Sequence, residues 1–127
     1  MDKHEIYMEK LINLFDIAAI PESFIKKLEP GTIEFLCATR NYNIAGKVAE
    51  ISVLYPDMHR KVFVLYDYGY CINFKEVLIN KFTDMEGRNK EIDRLYHESG
   101  LSQVFIAHLF KLRQPTVSLI LNRKKNS

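Results

Sequence analysis

The turn Lys111-Leu112-Arg113, followed at once by Gln114-Pro115, constrains this chain more than any other feature. Proline breaks a helix interior but suits a first turn, where its missing N–H had no partner anyway. One helix must therefore end near Phe110 and another open at Gln114, with only three residues between them. Ser102 can cap the first of the pair, which presents Ile106, Ala107 and Phe110 on one side. The second buries Val117 and Ile120 and leaves Gln114, Thr116 and Ser118 on its outer face near the N-terminal end. Ala107 is small enough to let the two helices cross closely, and Leu112 plugs the angle between them. Upstream, Ile92 to Ser99 reads as a short amphipathic helix closed by Gly100 as a glycine C-cap.

This is the physical pattern of a helix-turn-helix, whose second helix is free to enter the DNA major groove with short polar side chains. The residues resemble the phage-repressor type of that motif, the Xre- or Cro-like family. The family pattern is matched at Leu101, Ser102, Gln103, Ile106, Ala107, Gln114, Pro115, Thr116, Val117, Ser118, Ile120, Leu121 and Asn122. It covers the C-terminal third and none of residues 1–87. The resemblance implies that Gln103 contacts a phosphate and braces Gln114, the base-reading residue at the head of the third helix. It also implies base or phosphate contacts from Thr116 and Ser118. A glutamine amide suits such a task because it can donate to and accept from an adenine edge at once.

The chain departs from the family in four respects. Lys111 stands where the turn usually has Gly, at a cost on the order of 1 kcal/mol if its φ is positive. Arg113 replaces a small polar residue and adds a phosphate clamp. Only five residues follow Asn122, so the packing done by two further helices in the family is expected to fall to the upstream segment or a second subunit. Val104, Phe105, Leu119 and Leu121 are surplus apolar residues. Val104, Phe105 and Leu121 are expected to pack against the N-terminal segment or a dimer mate, and Leu119 to face a thymine methyl group.

The net charge of +2 hides an asymmetry. Residues 1–87 carry 10 Lys/Arg against 13 Asp/Glu, whereas residues 88–127 carry 8 against 3. A basic final third behind an acidic body points to a polyanion surface at that end. Arg123, Lys124 and Lys125, beside the third helix, are expected to meet phosphates.

Ahead of this region the signals are weaker. Asp2 and Glu5 read as a capping box for a first helix to about Ala19, with Ile6, Leu11, Ile12, Leu14, Phe15, Ile17 and Ala18 at helical spacing. Pro21 opens a short second helix carrying Phe24, Ile25 and Leu28, ended by Pro30-Gly31. Thr32–Thr39 is too short and apolar to assign. Asn43 can cap a helix bearing Ile44, Val48, Ile51, Leu54 and Tyr55 that stops before Pro56. Residues 61–73 have the β-branched and aromatic bias of a short hairpin. Asn73 and Glu76 then form a second capping box, predicting a helix over Phe74–Phe82. The polar run Thr83–Asn89 reads as the linker, where the charge changes sign.

Several chemistries find no support. No stretch of 18 apolar residues exists, and the N-terminus lacks a signal-peptide pattern, so no membrane role and a cytoplasmic location are expected. Cys37 and Cys71 read as buried thiols without metal-ligand spacing. His97 and His108 read as surface or half-buried residues, and Tyr66, Tyr68 and Tyr70 as packing residues. No carboxylate pair, metalloprotease string, phosphate loop or catalytic triad appears, so neither catalysis, metal nor cofactor is expected.

The fold class expected is therefore mainly α: an N-terminal helical domain over 1–86, with a short hairpin near 61–73, then a tri-helical helix-turn-helix over 87–127. The function expected is that of a sequence-specific transcriptional regulator, a repressor of bacterial, plasmid or phage type, acting as a homodimer on double-stranded DNA. Its DNA-binding set is Gln103, Arg113, Gln114, Pro115, Thr116, Ser118, Asn122, Arg123, Lys124 and Lys125. Residues 1–86 are expected to supply oligomerisation or a protein partner. Two alternatives stay open: a mobile-element antitoxin or inhibitor that merely autoregulates, and a sigma-like or replication accessory factor.

Overall fold

The computed structural model describes residues 2–14, 20–38 and 46–125. The chain divides into two compact units, Met1–Val77 and Leu78–Ser127. The first is built on a four-stranded antiparallel sheet in the order β1 (Thr32–Ala38), β2 (Lys47–Leu54), β3 (Arg60–Asp67), β4 (Ile72–Val77). Two helices precede it, α1 (Lys3–Leu14) and α2 (Glu22–Leu28). The second unit holds α3 (Met85–His97), α4 (Gln103–Phe110) and α5 (Gln114–Lys125).

The sheet overturns the expectation of a mainly α chain with an N-terminal helical domain ahead of a tri-helical helix-turn-helix: the molecule is an α+β mix with its strands mid-chain. The molecule departs furthest from the helix expected between Asn43 and Tyr55, because residues 47–54 form β2. Lys47 through Val53 are buried on both faces of the sheet. The period-two alternation that marks a half-exposed strand is therefore absent, and Val48, Ile51 and Leu54 fall at helix-like spacing by coincidence. Asn43 itself lies outside the described residues. The helix expected over Phe74–Phe82 is also replaced by strand through Val77. Here the hairpin register runs on, pairing Asn73 with Tyr66, Phe74 with Leu65 and Glu76 with Phe63. Two residues that resemble a capping box cannot outweigh a ladder already nucleated by the preceding turn.

That turn was legible. In the β3–β4 hairpin, Gly69 takes φ +90° and its N–H donates to Asp67 Oδ1 at 2.8 Å. Tyr66, Tyr68 and Tyr70 form a stack along it, with ring centroids 6.0 and 6.5 Å apart. The helix starts were legible too. Asp2 accepts from the Glu5 N–H at 2.8 Å, and Pro21 precedes α2. The continuation of the first helix through residues 15–19 lies outside the described residues.

The core of the sheet unit gathers Leu11, Phe24, Leu28, Ile33, Leu36, Ile51, Val53, Phe63 and Leu65, among others. Phe24 from α2 meets Phe63 edge-on at 5.6 Å and Phe74 at 5.0 Å. Helix α1 packs along β1, where a bulge between Ile33 and Phe35 interrupts the ladder. The Ile33 N–H donates to His4 Nδ1 at 2.9 Å. A second bulge, at Val48, sets Lys47 opposite Tyr66 and Ala49 opposite Leu65. The extra residue reverses the parity of the strand, so Lys47 and Glu50 share a face although three positions apart. Their Nζ and Oε2 lie 3.3 Å apart with both side chains fully buried. Cys37 and Cys71 are half-buried rather than sealed.

Candidate nucleic-acid interface

The helical unit is held by local signals. Asp84 caps α3, its side chain accepting from the Gly87 N–H at 2.7 Å, so the run read as a linker already contains a helix start. Ser102 caps α4, accepting from the Phe105 N–H at 3.2 Å. Ile92, Leu95, Leu101, Phe105, Ile106, Ala107, Val117, Ile120 and Leu121 are all buried, and the three helices pack pairwise. Glu91, buried in α3, binds Arg94 with both oxygens (2.6 and 2.8 Å) and accepts from the backbone N–H and side-chain amide of Asn80. The Arg94 guanidinium beside it holds the Glu91 carboxyl below the usual range, and the Asn80 bonds act in the same direction. Arg94 also donates to the Leu78 carbonyl at 2.8 Å, and Phe82 stacks on Phe110 at 5.7 Å. Residues 78–82 thus strap the helices together.

Between α4 and α5 the chain turns by 107°. Lys111 makes this possible by adopting the left-handed conformation (φ 55°, ψ 43°), where a glycine would sit without strain. The Leu112 N–H then reaches back to the Ala107 carbonyl at 2.9 Å. Arg113 starts α5, its carbonyl accepting from Thr116 and Val117 N–H groups at 3.0 and 3.2 Å.

At the outer angle of this turn the Gln114 amide donates to Gln103 Oε1 at 3.1 Å. The bracing implied by the family resemblance is thus present as a side-chain contact: it fixes the Gln114 amide and leaves its other polar atom available. Arg113, Gln114, Pro115, Asn122 and Arg123 are exposed, and Gln103, Thr116 and Ser118 are half-buried. Lys124 and Lys125 lie in the last turn of α5, but their side chains fall outside the described residues. Among the surplus apolar residues, Phe105 and Leu121 are buried, whereas Val104 is 51% and Leu119 59% exposed. Val104 therefore does not take the packing role expected of it within this chain.

The cations sort by position. On α3, Lys90 pairs with Glu86 at 3.5 Å, Arg94 with Glu91, and His97 with Asp93 at 3.5 Å. Among the described residues, Lys111, Arg113 and Arg123 form no ion pair, and all three are exposed around α5. Lys111 combines this exposure with the left-handed backbone of the turn. An open groove of about 530 Å³ runs between α3 and the far half of α5, lined by Met85, Glu86, Asn89, Lys90, Asp93, Ile120 and Arg123. Its mixed charge makes it a poor seat for a polyanion.

Among the described residues no single helix is long and apolar enough to cross a membrane. Compared with models of protein families, with curated proteins and with solved structures, the chain matches none.

Proposed function

We propose that the helical unit binds double-stranded DNA sequence-specifically, as a helix-turn-helix, with the first turns of α5 in the major groove, and that the protein regulates transcription. The observation that carries this reading is the 3.1 Å bond from Gln114 to Gln103 across the turn. It pre-orients an exposed amide at the leading end of a helix whose inner side, Val117, Ile120 and Leu121, is buried. Around that end lie Lys111 and Arg113, suited to phosphates, and Thr116 and Ser118, suited to bases or phosphates, while Arg123 is exposed in the far half of the helix, also suited to phosphates. A single short helix reads few base pairs, so a homodimer on a two-fold site, half-sites about 34–36 Å apart, completes the proposal. A second reading, a protein partner for residues 1–77, is favoured by the exposure of Tyr68 and Tyr70 on the hairpin.

The test is a binding titration of the whole chain against selected and scrambled duplexes over a salt series. Gln114→Ala should erase the preference between them. Arg123→Ala should weaken both alike and reduce the salt slope by about 0.9. No binding to any duplex at low salt, or equal loss on all sequences from both changes, would count against direct readout.

A further inference from the structure

Building on that DNA-binding reading, we infer that the half-site read by α5 is A·T-rich, and that Pro115 and Leu119 form an apolar ridge packing against thymine methyl groups. A lone exposed leucine carries no information. The composition of the stripe around Leu119 does. Successive residues of a helix turn by about 100°, so Pro115 and Leu119 lie one above the other and Asn122 continues the line. Pro115 and Asn122 are exposed, as is 59% of Leu119, while Val117, Ile120 and Leu121 on the opposite side are buried. Gln114 and Ser118 flank the ridge on one side.

Each member of this stripe favours the same bases. The amides of Gln114 and Asn122 match the N6 donor and N7 acceptor of adenine, and an apolar side chain matches the 5-methyl of thymine. A hydroxyl such as that of Ser118 is neutral. Guanine is most often read by Arg or Lys, and cytosine by a carboxylate. Pro115, Leu119 and Asn122 themselves are neither. The nearest cations flank them: Arg113 precedes the helix, and Arg123, one turn beyond Leu119, lines the groove toward α3 with Met85, Asp93 and Ile120. Phosphates are within the scope of both, whereas the base edges facing Pro115 and Leu119 are left to apolar and amide contacts.

The experiment uses the full chain to select duplexes from a random pool, then remakes the best duplex with deoxyuridine for thymine. That exchange removes only the 5-methyl and leaves every hydrogen-bonding group. The selected core should be A·T-rich, and binding should weaken roughly three- to fivefold for each contacted methyl removed. Leu119→Ala, at an exposed helical position, should bind the thymine duplex more weakly and lose most of its sensitivity to uracil. Gln114→Ala should keep that sensitivity. A G·C-rich core, a uracil duplex bound as tightly as its thymine parent, or a Leu119→Ala variant as uracil-sensitive as the parent chain would overturn the inference while leaving DNA binding intact. Retention of no duplex at all would overturn the DNA-binding reading and this inference with it.

Discussion

The sheet unit and the helical unit solve the same problem by different means. In residues 78–125 almost every boundary is set by a residue a few positions away: Asp84 on Gly87, Ser102 on Phe105, Lys111 folding back on Ala107 and His108. In the sheet unit the decisive contacts are distant in sequence. Ile33 pairs with Val53, Arg60 binds Glu34 at 2.7 Å, and the Tyr55 hydroxyl donates to the Lys27 carbonyl at 2.7 Å. Their buried ion pairs differ in the same sense. Lys47 and Glu50 are fully enclosed, brought together by a bulge whose register the neighbouring strand sets, whereas Glu91 and Arg94 meet within one helical turn and Arg94 keeps 28% of its side chain exposed. Local codes can be read along a chain. Register needs the partner strand.

The largest expected effects test whether the two regions are separable. Phe63→Ala and Phe105→Ala each empty a fully buried aromatic site and should cost about 3–5 kcal/mol. Every tyrosine except Tyr96 precedes Leu78 and there is no tryptophan, so near-ultraviolet tyrosine signals report the sheet unit and helical circular dichroism weights the other. Phe63→Ala should lower the urea midpoint of the tyrosine transition more, and Phe105→Ala that of the helical transition. If either change displaced both transitions equally, the two regions would be unfolding as one.

Next come the ion pairs. Glu50→Gln removes the charge paired with a lysine that has no exposed surface and should cost about 3–5 kcal/mol. Glu91→Gln leaves Arg94 partly solvated and should cost less, about 1–3 kcal/mol; equal losses in urea titration would erase the distinction. Glu91 also predicts a pH dependence. Its folded pKa lies below the unfolded one, so its contribution is present above the unfolded carboxylate pKa and is lost as pH falls through the lower folded value. In Glu91→Gln that part of the acid sensitivity of the helical transition should vanish.

The smallest expected effect lies at the turn. Lys111→Gly relieves a left-handed residue but loosens the unfolded chain, for a net gain of about 0.5 kcal/mol in thermal or urea unfolding. If Lys111 meets a phosphate, the same variant should show a salt slope about 0.9 smaller. Stability and DNA affinity would then move in opposite directions at one residue.

How much could be read in advance follows the same divide. The caps at Asp2 and Ser102, the breaks at Pro21 and Pro115, and the Asp67–Gly69 hairpin turn each involve side chains within three residues of one another, and each is present in the structure. The Gln103–Gln114 contact spans eleven positions and was legible only through a family pattern, not through physics. Strand β1 gave no usable signal, and β2 a misleading one, because Lys47, Glu50 and Ser52 are buried polar residues that break the code relating polarity to solvent. In β4 a polar pair, Asn73 and Glu76, resembled a cap because the sequence does not show that Asn73 faces Tyr66 across a ladder.

The amino-acid sequence by itself determined where helices start and stop in the C-terminal unit, which side of α5 is apolar, and where the charge is concentrated. Those depend on backbone donors and side chains a turn apart, whose geometry is nearly independent of the rest of the chain. Only the tertiary structure decided that β1 to β4 form one sheet, that one bulge brings Lys47 to Glu50, and that residues 78–82 strap the helices. These outcomes depend on which distant segment covers each face, and burial on both sides of β2 removed the alternation by which a strand announces itself.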